Sequence, residues 1–112
     1  MAKVGKKNSY RIINRALRGA KIKNLGVIAQ DWGVTEGEDG RFCLISDCAC
    51  PLGLVLIGKK CDLGLEASAA RVLSQPIEWV ASFIRGVDGD RPRADDYKAA
   101  YKFGQTIRAK YV

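Results

Sequence analysis

All four cysteines, Cys43, Cys48, Cys50 and Cys61, fall in one stretch, CLISDCACPLGLVLIGKKC. Thiols in such a cluster have three uses. They can ligate a metal, act as nucleophiles or fill a core. The spacing is C-x4-C-x-C-x10-C, and four thiolates can hold tetrahedral zinc. Structural zinc sites favour pairs with two to four residues between ligands, and the chain has no histidine. Cys50 precedes Pro51 at an expected helix N-terminus, where the helix dipole and unpaired N–H groups stabilise a thiolate. A nucleophilic thiol also needs a base to take its proton, commonly histidine. The third use, small apolar side chains in a core, suits a residue type that is among the most buried.

Three further patterns carry chemistry. Gly53 to Lys59 spells G-x-x-x-x-G-K, the outline of a phosphate loop. Lys60 stands where the magnesium-binding Ser or Thr belongs, and the intervening residues are apolar. Asp88 and Asp90 open like a calcium loop, but Pro92 takes the next ligand position and Arg93 that of the turn glycine. That segment reads better as a turn whose aspartates cap the following helix. The stretch ASAARVLSQPIEWVASFIRG has the layout of a helix-turn-helix over residues 66–86. Its second helix would enter a DNA major groove with Gln75, Ser82 and Arg85 facing outward. Glu78 on that face opposes phosphate.

The strongest signal is charge. The chain of 112 residues carries a formal net charge of +7. Lys3, Lys6, Lys7, Arg11, Arg15, Arg18, Lys21 and Lys23 precede the first acid, Asp31, whereas the remainder is nearly balanced. A cationic end on a neutral body points to an acidic partner, either nucleic acid or an acidic protein surface. The bland alternative is a solvated helix face.

These residues need elements to position them. Residues 1–8 read as a flexible basic tail, and 9–112 as one globular domain, a length that buries a core without staples. Ser9 is the expected N-cap of a helix over 10–24, with Tyr10, Ile13, Leu17 and Ala20 on its inner face. The turn chemistry of Gly37 to Gly40 predicts a β-hairpin over 27–45, with strands 27–35 and 41–45. Pro51 starts a helix over 52–57 that is apolar on every side and therefore central. Gly53 and Gly58 there would admit neighbouring backbones. A third helix covers 66–73. A fourth is capped by Ser74, faces inward with Ile77, Val80, Ala81 and Ile84, and ends at Gly86. A fifth begins at Asp95, with Tyr97, Ala100, Tyr101, Gly104, Ile107 and Tyr111 along one face. The fold class is α+β, mostly helical, with about five helices and one hairpin.

The order of Trp32, Asp-Gly-Arg at 39–41, Cys43, Cys-Pro-Leu-Gly at 50–53 and WVASFIRGVDG at 79–89 resembles that in small uncharacterised bacterial and phage proteins. The resemblance covers residues 32–89. It implies a compact, mostly helical domain and brings no activity or site residue with it.

The start, MAKVGKKNSYRII, has no apolar run behind it, so it does not read as a signal peptide, and no apolar run is long enough to span a membrane. The expected setting is the cytoplasm, with reduced cysteines. No motif calls for a cofactor or a metal. The leading expectation is a small non-enzymatic binding or regulatory protein. It would hold its partner with Lys6, Lys7, Arg11, Arg15, Arg18, Lys21 and Lys23. Its size and pattern would suit a phage or mobile-element inhibitor of a host complex. The alternatives are a helix-turn-helix DNA-binding regulator, expected as a homodimer, and a zinc- or thiol-dependent protein using the four cysteines.

Overall fold

The computed structural model describes residues 6–112, with side chains from residue 8 onward. Five helices and two small two-stranded sheets make a mostly helical α+β domain. Helix α1 spans Lys6–Ile22 and begins earlier than the sequence predicts. Most of the expected tail, residues 1–5, lies outside the described residues.

Ser9 is therefore not an N-cap. It sits inside α1, fully buried, and its hydroxyl donates to the Leu73 carbonyl at 3.1 Å while accepting from Gln75 Nε2 at 2.9 Å. A buried hydroxyl needs such partners, and these come from more than 60 residues away. The periodicity of α1 holds: Ile13, Leu17 and Ala20 are buried.

The hairpin is shorter than expected. Strand β1 (Gly26–Val27) pairs in parallel with β4 (Cys48–Ala49), and β2 (Val34–Glu36) pairs antiparallel with β3 (Phe42–Leu44). Residues 28–33 do not continue the first hairpin strand. Gln30 at φ 65° and Gly33 at φ 73° turn the chain between β1 and β2. The predicted turn does join β2 and β3, with Gly40 N–H donating to the Gly37 carbonyl at 3.0 Å.

Helix α2 (Pro51–Leu56) is buried at all six positions, as its composition requires. The Cys50 sulfur caps it, accepting from Gly53 N–H at 3.3 Å. A Cβ on Gly53 would lie 1.8 Å from the Trp32 carbonyl oxygen, so only glycine fits there. Gly58 differs from expectation. It has open space around it, and its φ of +80° is what favours glycine.

Helix α3 (Leu65–Leu73) ends at Ser74, which takes a left-handed conformation and closes α3 rather than capping its successor. Helix α4 (Ile77–Asp88) starts after Pro76, runs through Gly86, and stops at Gly89. Its inner face is Trp79, Val80, Phe83 and Val87, whereas Ile77 is 48% exposed. Helix α5 (Lys98–Tyr111) starts later than Asp95 and has no side-chain cap. Ala100, Gly104 and Ile107 face inward as expected.

Gly86 and Gly104 explain the α4–α5 pair. A Cβ on Gly86 would meet the Tyr101 carbonyl at 2.2 Å, and one on Gly104 the Phe83 carbonyl at 2.3 Å. The two backbones touch where side chains are missing, so Gly86 is a packing residue and not a helix stop. Aromatic rings tie this pair to α1: Tyr10 lies 4.3 Å from Phe103, and Phe83 lies 5.4 Å from Phe103, centroid to centroid. Helix α1 is thus held by its inner face, leaving its outer face to solvent.

Candidate binding surface

Arg11, Arg15, Arg18, Lys21 and Lys23 are all exposed. Arg11, Arg15, Arg18 and Ile22 follow steps of four, three and four, which places them in one stripe along α1. The stripe ends in Ile22, which is 85% exposed. Lys6 and Lys7 extend the same helix, but their side chains lie outside the described residues.

The described cations of α1 take no part in the ion pairs of the fold. Among the described residues the ion pairs are Lys60–Asp62, Arg71–Asp62 and Arg85–Asp96, and none uses α1. Arg108 is also committed, donating to the Val87 carbonyl at 2.9 Å at the end of α4. Like charges three or four residues apart on a helix cost about 0.2–0.5 kcal/mol a pair. Folding alone gives no reason to line them up.

Beside the stripe runs a groove of about 980 Å³ between the C-terminal ends of α1 and α5. Arg18 and Lys21 of α1 and Lys110 of α5 are among its lining cations. Ile22, Leu25, Val27 and Tyr111 supply its apolar surface, and no acidic side chain lines it. Lys110 Nζ sits 5.4 Å from the Tyr111 ring centroid. Sequence reasoning found Arg18 and Lys21 but missed Lys110 and Tyr111 as their neighbours. Helical periodicity put Tyr111 on the α5 face, but nothing local brings α5 to α1.

The residues expected to read DNA are corrected in orientation. Ser82 is fully buried: its hydroxyl lies 2.7 Å from the Glu78 carbonyl and 3.0 Å from Asp96 Oδ1, and it accepts from Tyr97 N–H at 2.9 Å. Arg85 grips Asp96 in a two-pronged ion pair, with the side chains 17% and 2% exposed. The Arg93 N–H donates to the other Asp96 oxygen at 2.7 Å. Arg85 first, with these added hydrogen bonds, holds the Asp96 carboxyl well below the usual carboxylate range. Gln75 is half-buried against Ser9. All three side chains bind within the fold. The α3–α4 turn is thus fastened to α1, and the following loop to α4.

The cysteines are separated. Cys43 is exposed, Cys48 and Cys61 are half-buried and Cys50 is buried; none forms a disulfide. Among the described residues no group of three His, Cys, Asp or Glu side chains converges as a metal site. Burial pushes the Cys50 thiol up to about 11, with Asp88 and Asp31 adding to the effect and the Gly53 and Leu52 N–H groups opposing it. The thiolate stabilisation expected at this N-cap is therefore overturned. Helix α2 is short, and desolvation exceeds the help of its N–H groups. Cys61 is also raised, by desolvation and by Glu36, whose carboxylate lies 3.6 Å from its sulfur.

A second cationic cleft, of about 380 Å³, is lined by Arg85, Arg91 and Arg93 with Trp32 and Ile84, but Glu66 and Asp90 also line it and offset its charge. A pocket of about 90 Å³ beside Cys50 and Trp32 is bounded by Asp31 and Asp88. Asp88 is already engaged, accepting from Gln30 N–H at 2.8 Å, so the expected turn-shaping aspartate instead ties α4 to the β1–β2 link. No helix among the described residues is long and apolar enough to cross a membrane. Comparison of the chain with protein-family models, curated proteins and solved structures finds no match.

Proposed function

We propose that this chain is a small, non-enzymatic binding or regulatory protein of the cytoplasm that holds an acidic macromolecular partner on α1. The observation that carries this is the stripe of Arg11, Arg15 and Arg18, exposed, continuous and without an ion-pair partner among the described residues. Arg41, Arg71, Arg85 and Arg108 fasten loops and helix ends, whereas Arg11, Arg15 and Arg18 hold no partner among the described residues. The side chains of Arg91 and Arg93 are also unpaired among the described residues, but they lie in a loop and not in a row along one helix. Their attraction for an acidic surface acts at a distance, so it raises the rate of encounter as well as affinity.

The DNA-reading alternative has less support. Ser82 and Arg85 are consumed internally, and Ile77 and Glu78, both exposed on α4, offer no charge attraction to phosphate.

The test is fluorescence anisotropy with two acidic probes, polyglutamate and a single-stranded oligodeoxynucleotide of the same charge. The triple variant R11E/R15E/R18E should lose at least tenfold in affinity for whichever probe the native chain binds (about 1.4 kcal/mol). Circular dichroism should be unchanged, since none of the three side chains is buried. Native-like binding by the folded variant would remove α1 as the binding face.

A further inference from the structure

We infer that the groove between α1 and α5 is the docking site for an acidic, apolar-studded segment of a partner protein, rather than for nucleic acid. This rests on the reading of α1 as the binding face and names the partner's chemistry.

Two observations lead there. The first is the distribution of chemistry in the groove. Arg18, Lys21 and Lys110 provide its charge, with no carboxylate among the lining residues. Ile22, Leu25 and Val27 provide aliphatic surface, with Ile22 85% exposed. Apolar anchors flanked by charged groups are the anatomy of a protein–protein contact. A nucleic-acid strand asks for something else: cations tracking phosphates and aromatic faces on which bases stack. The groove has one aromatic lining residue, Tyr111, and its ring already lies beside Lys110 Nζ.

The second is the charge balance. A net charge of +7 and a basic groove make a second copy of this chain a poor occupant, because the two faces repel. An acidic partner gains from every lining cation. Lys21 and Lys110 also stand in the last turns of their helices, where they offset the negative dipole end. That local role accounts for their presence singly. It does not account for the exposed Ile22 beside them, with Leu25 half-buried behind it, or for the shared groove.

The contacts follow. Carboxylates of the segment meet Arg18, Lys21 and Lys110, and its aliphatic side chains cover Ile22 and Leu25. Arg18 can take a carboxylate with both prongs of its guanidinium, which fixes the orientation of the segment.

The experiment uses the full chain and three fluorescein-labelled probes of equal charge: a short peptide of glutamates interspersed with leucines, polyglutamate, and a single-stranded oligodeoxynucleotide. The expected order is the leucine-containing peptide tightest by about tenfold, a ratio that Ile22→Ser abolishes. Ile22 is almost wholly exposed, so this variant keeps the fold, and a thermal melt verifies it. The inference is overturned if polyglutamate binds as well as the leucine-containing peptide, or if Ile22→Ser leaves the ratio intact. It is also overturned if the oligonucleotide binds tightest. In each of those results the acidic partner on α1 still stands, provided R11E/R15E/R18E weakens binding. Sedimentation of the chain alone gives the last arm: a dimer that Ile22→Ser dissociates would assign the groove to a second copy and overturn the inference.

Discussion

Asp96 carries the strongest single polar commitment in the fold. Its carboxylate is 2% exposed and gathers Arg85, the Arg93 N–H and the Ser82 hydroxyl onto one side chain. Removing that charge leaves Arg85 largely buried without its counter-ion. Asp96→Asn should therefore lower stability by about 3 kcal/mol in urea titrations. The sign of the pH dependence follows. The folded pKa of Asp96 is depressed by Arg85, so its contribution is fully present above the unfolded value near pH ~4. It is lost as pH falls below that value, and Asp96→Asn should show a shallower acid decline than the native chain. At the other end, the Cys50 thiol is raised from 9.0 to about 11. Its contribution is present below pH 9 and is lost as pH climbs toward 11. At this scale the sequence was partly legible. Cys50 could be placed at its cap because proline follows it at once. Ser9, Gln75, Ser82 and Arg85 could not be placed, because their partners lie far along the chain or across a loop. A polar residue on a helix looks the same in sequence whether it meets solvent or a buried acceptor.

At the scale of elements, the helices and the β2–β3 hairpin were legible in existence, and the parallel β1–β4 pair was not. Periodic apolar residues announce a helix, and α1, α2, α3 and α5 lie close to where that pattern puts them. The inner face of α4 was displaced because this helix packs on α3 and α5 at once, so its buried stripe is wide and includes Ser82 and Gly86. Strand β1 escaped because its partner β4 is about twenty residues away, and a two-residue parallel pair has no local signature. The glycines separate packing from propensity cleanly. Gly86→Ala pushes a methyl into the Tyr101 carbonyl, which cannot retreat without parting α4 from α5. It should cost about 2–3 kcal/mol. Gly19→Ala lies in α1 with nothing within 4 Å of the new atom, and should stabilise by about 0.5–1 kcal/mol. Paired thermal melts check both, and equal effects at the two sites would contradict the close α4–α5 contact.

At the scale of the whole molecule, the ion pairs among the described residues lie in the body, and none lies on the outer face of α1. Arg71, Arg85 and Arg108 of the body pair with acids or a helix end, and Arg11, Arg15 and Arg18 stand out as a row on one helix face, unpaired among the described residues. This asymmetry was visible in the sequence, because eight cations precede the first acid. The second wall of the groove was not, since Lys110 and Tyr111 reach Arg18 and Ile22 only through the folded core. The most direct test of the central claim is a backbone amide chemical-shift titration of the isotopically labelled chain with the leucine-containing acidic peptide. The account predicts perturbations clustered over residues 11–27 and 108–112, with the α3–α4 turn unmoved. Perturbations centred on residues 74–85, or spread evenly over the surface, would contradict it.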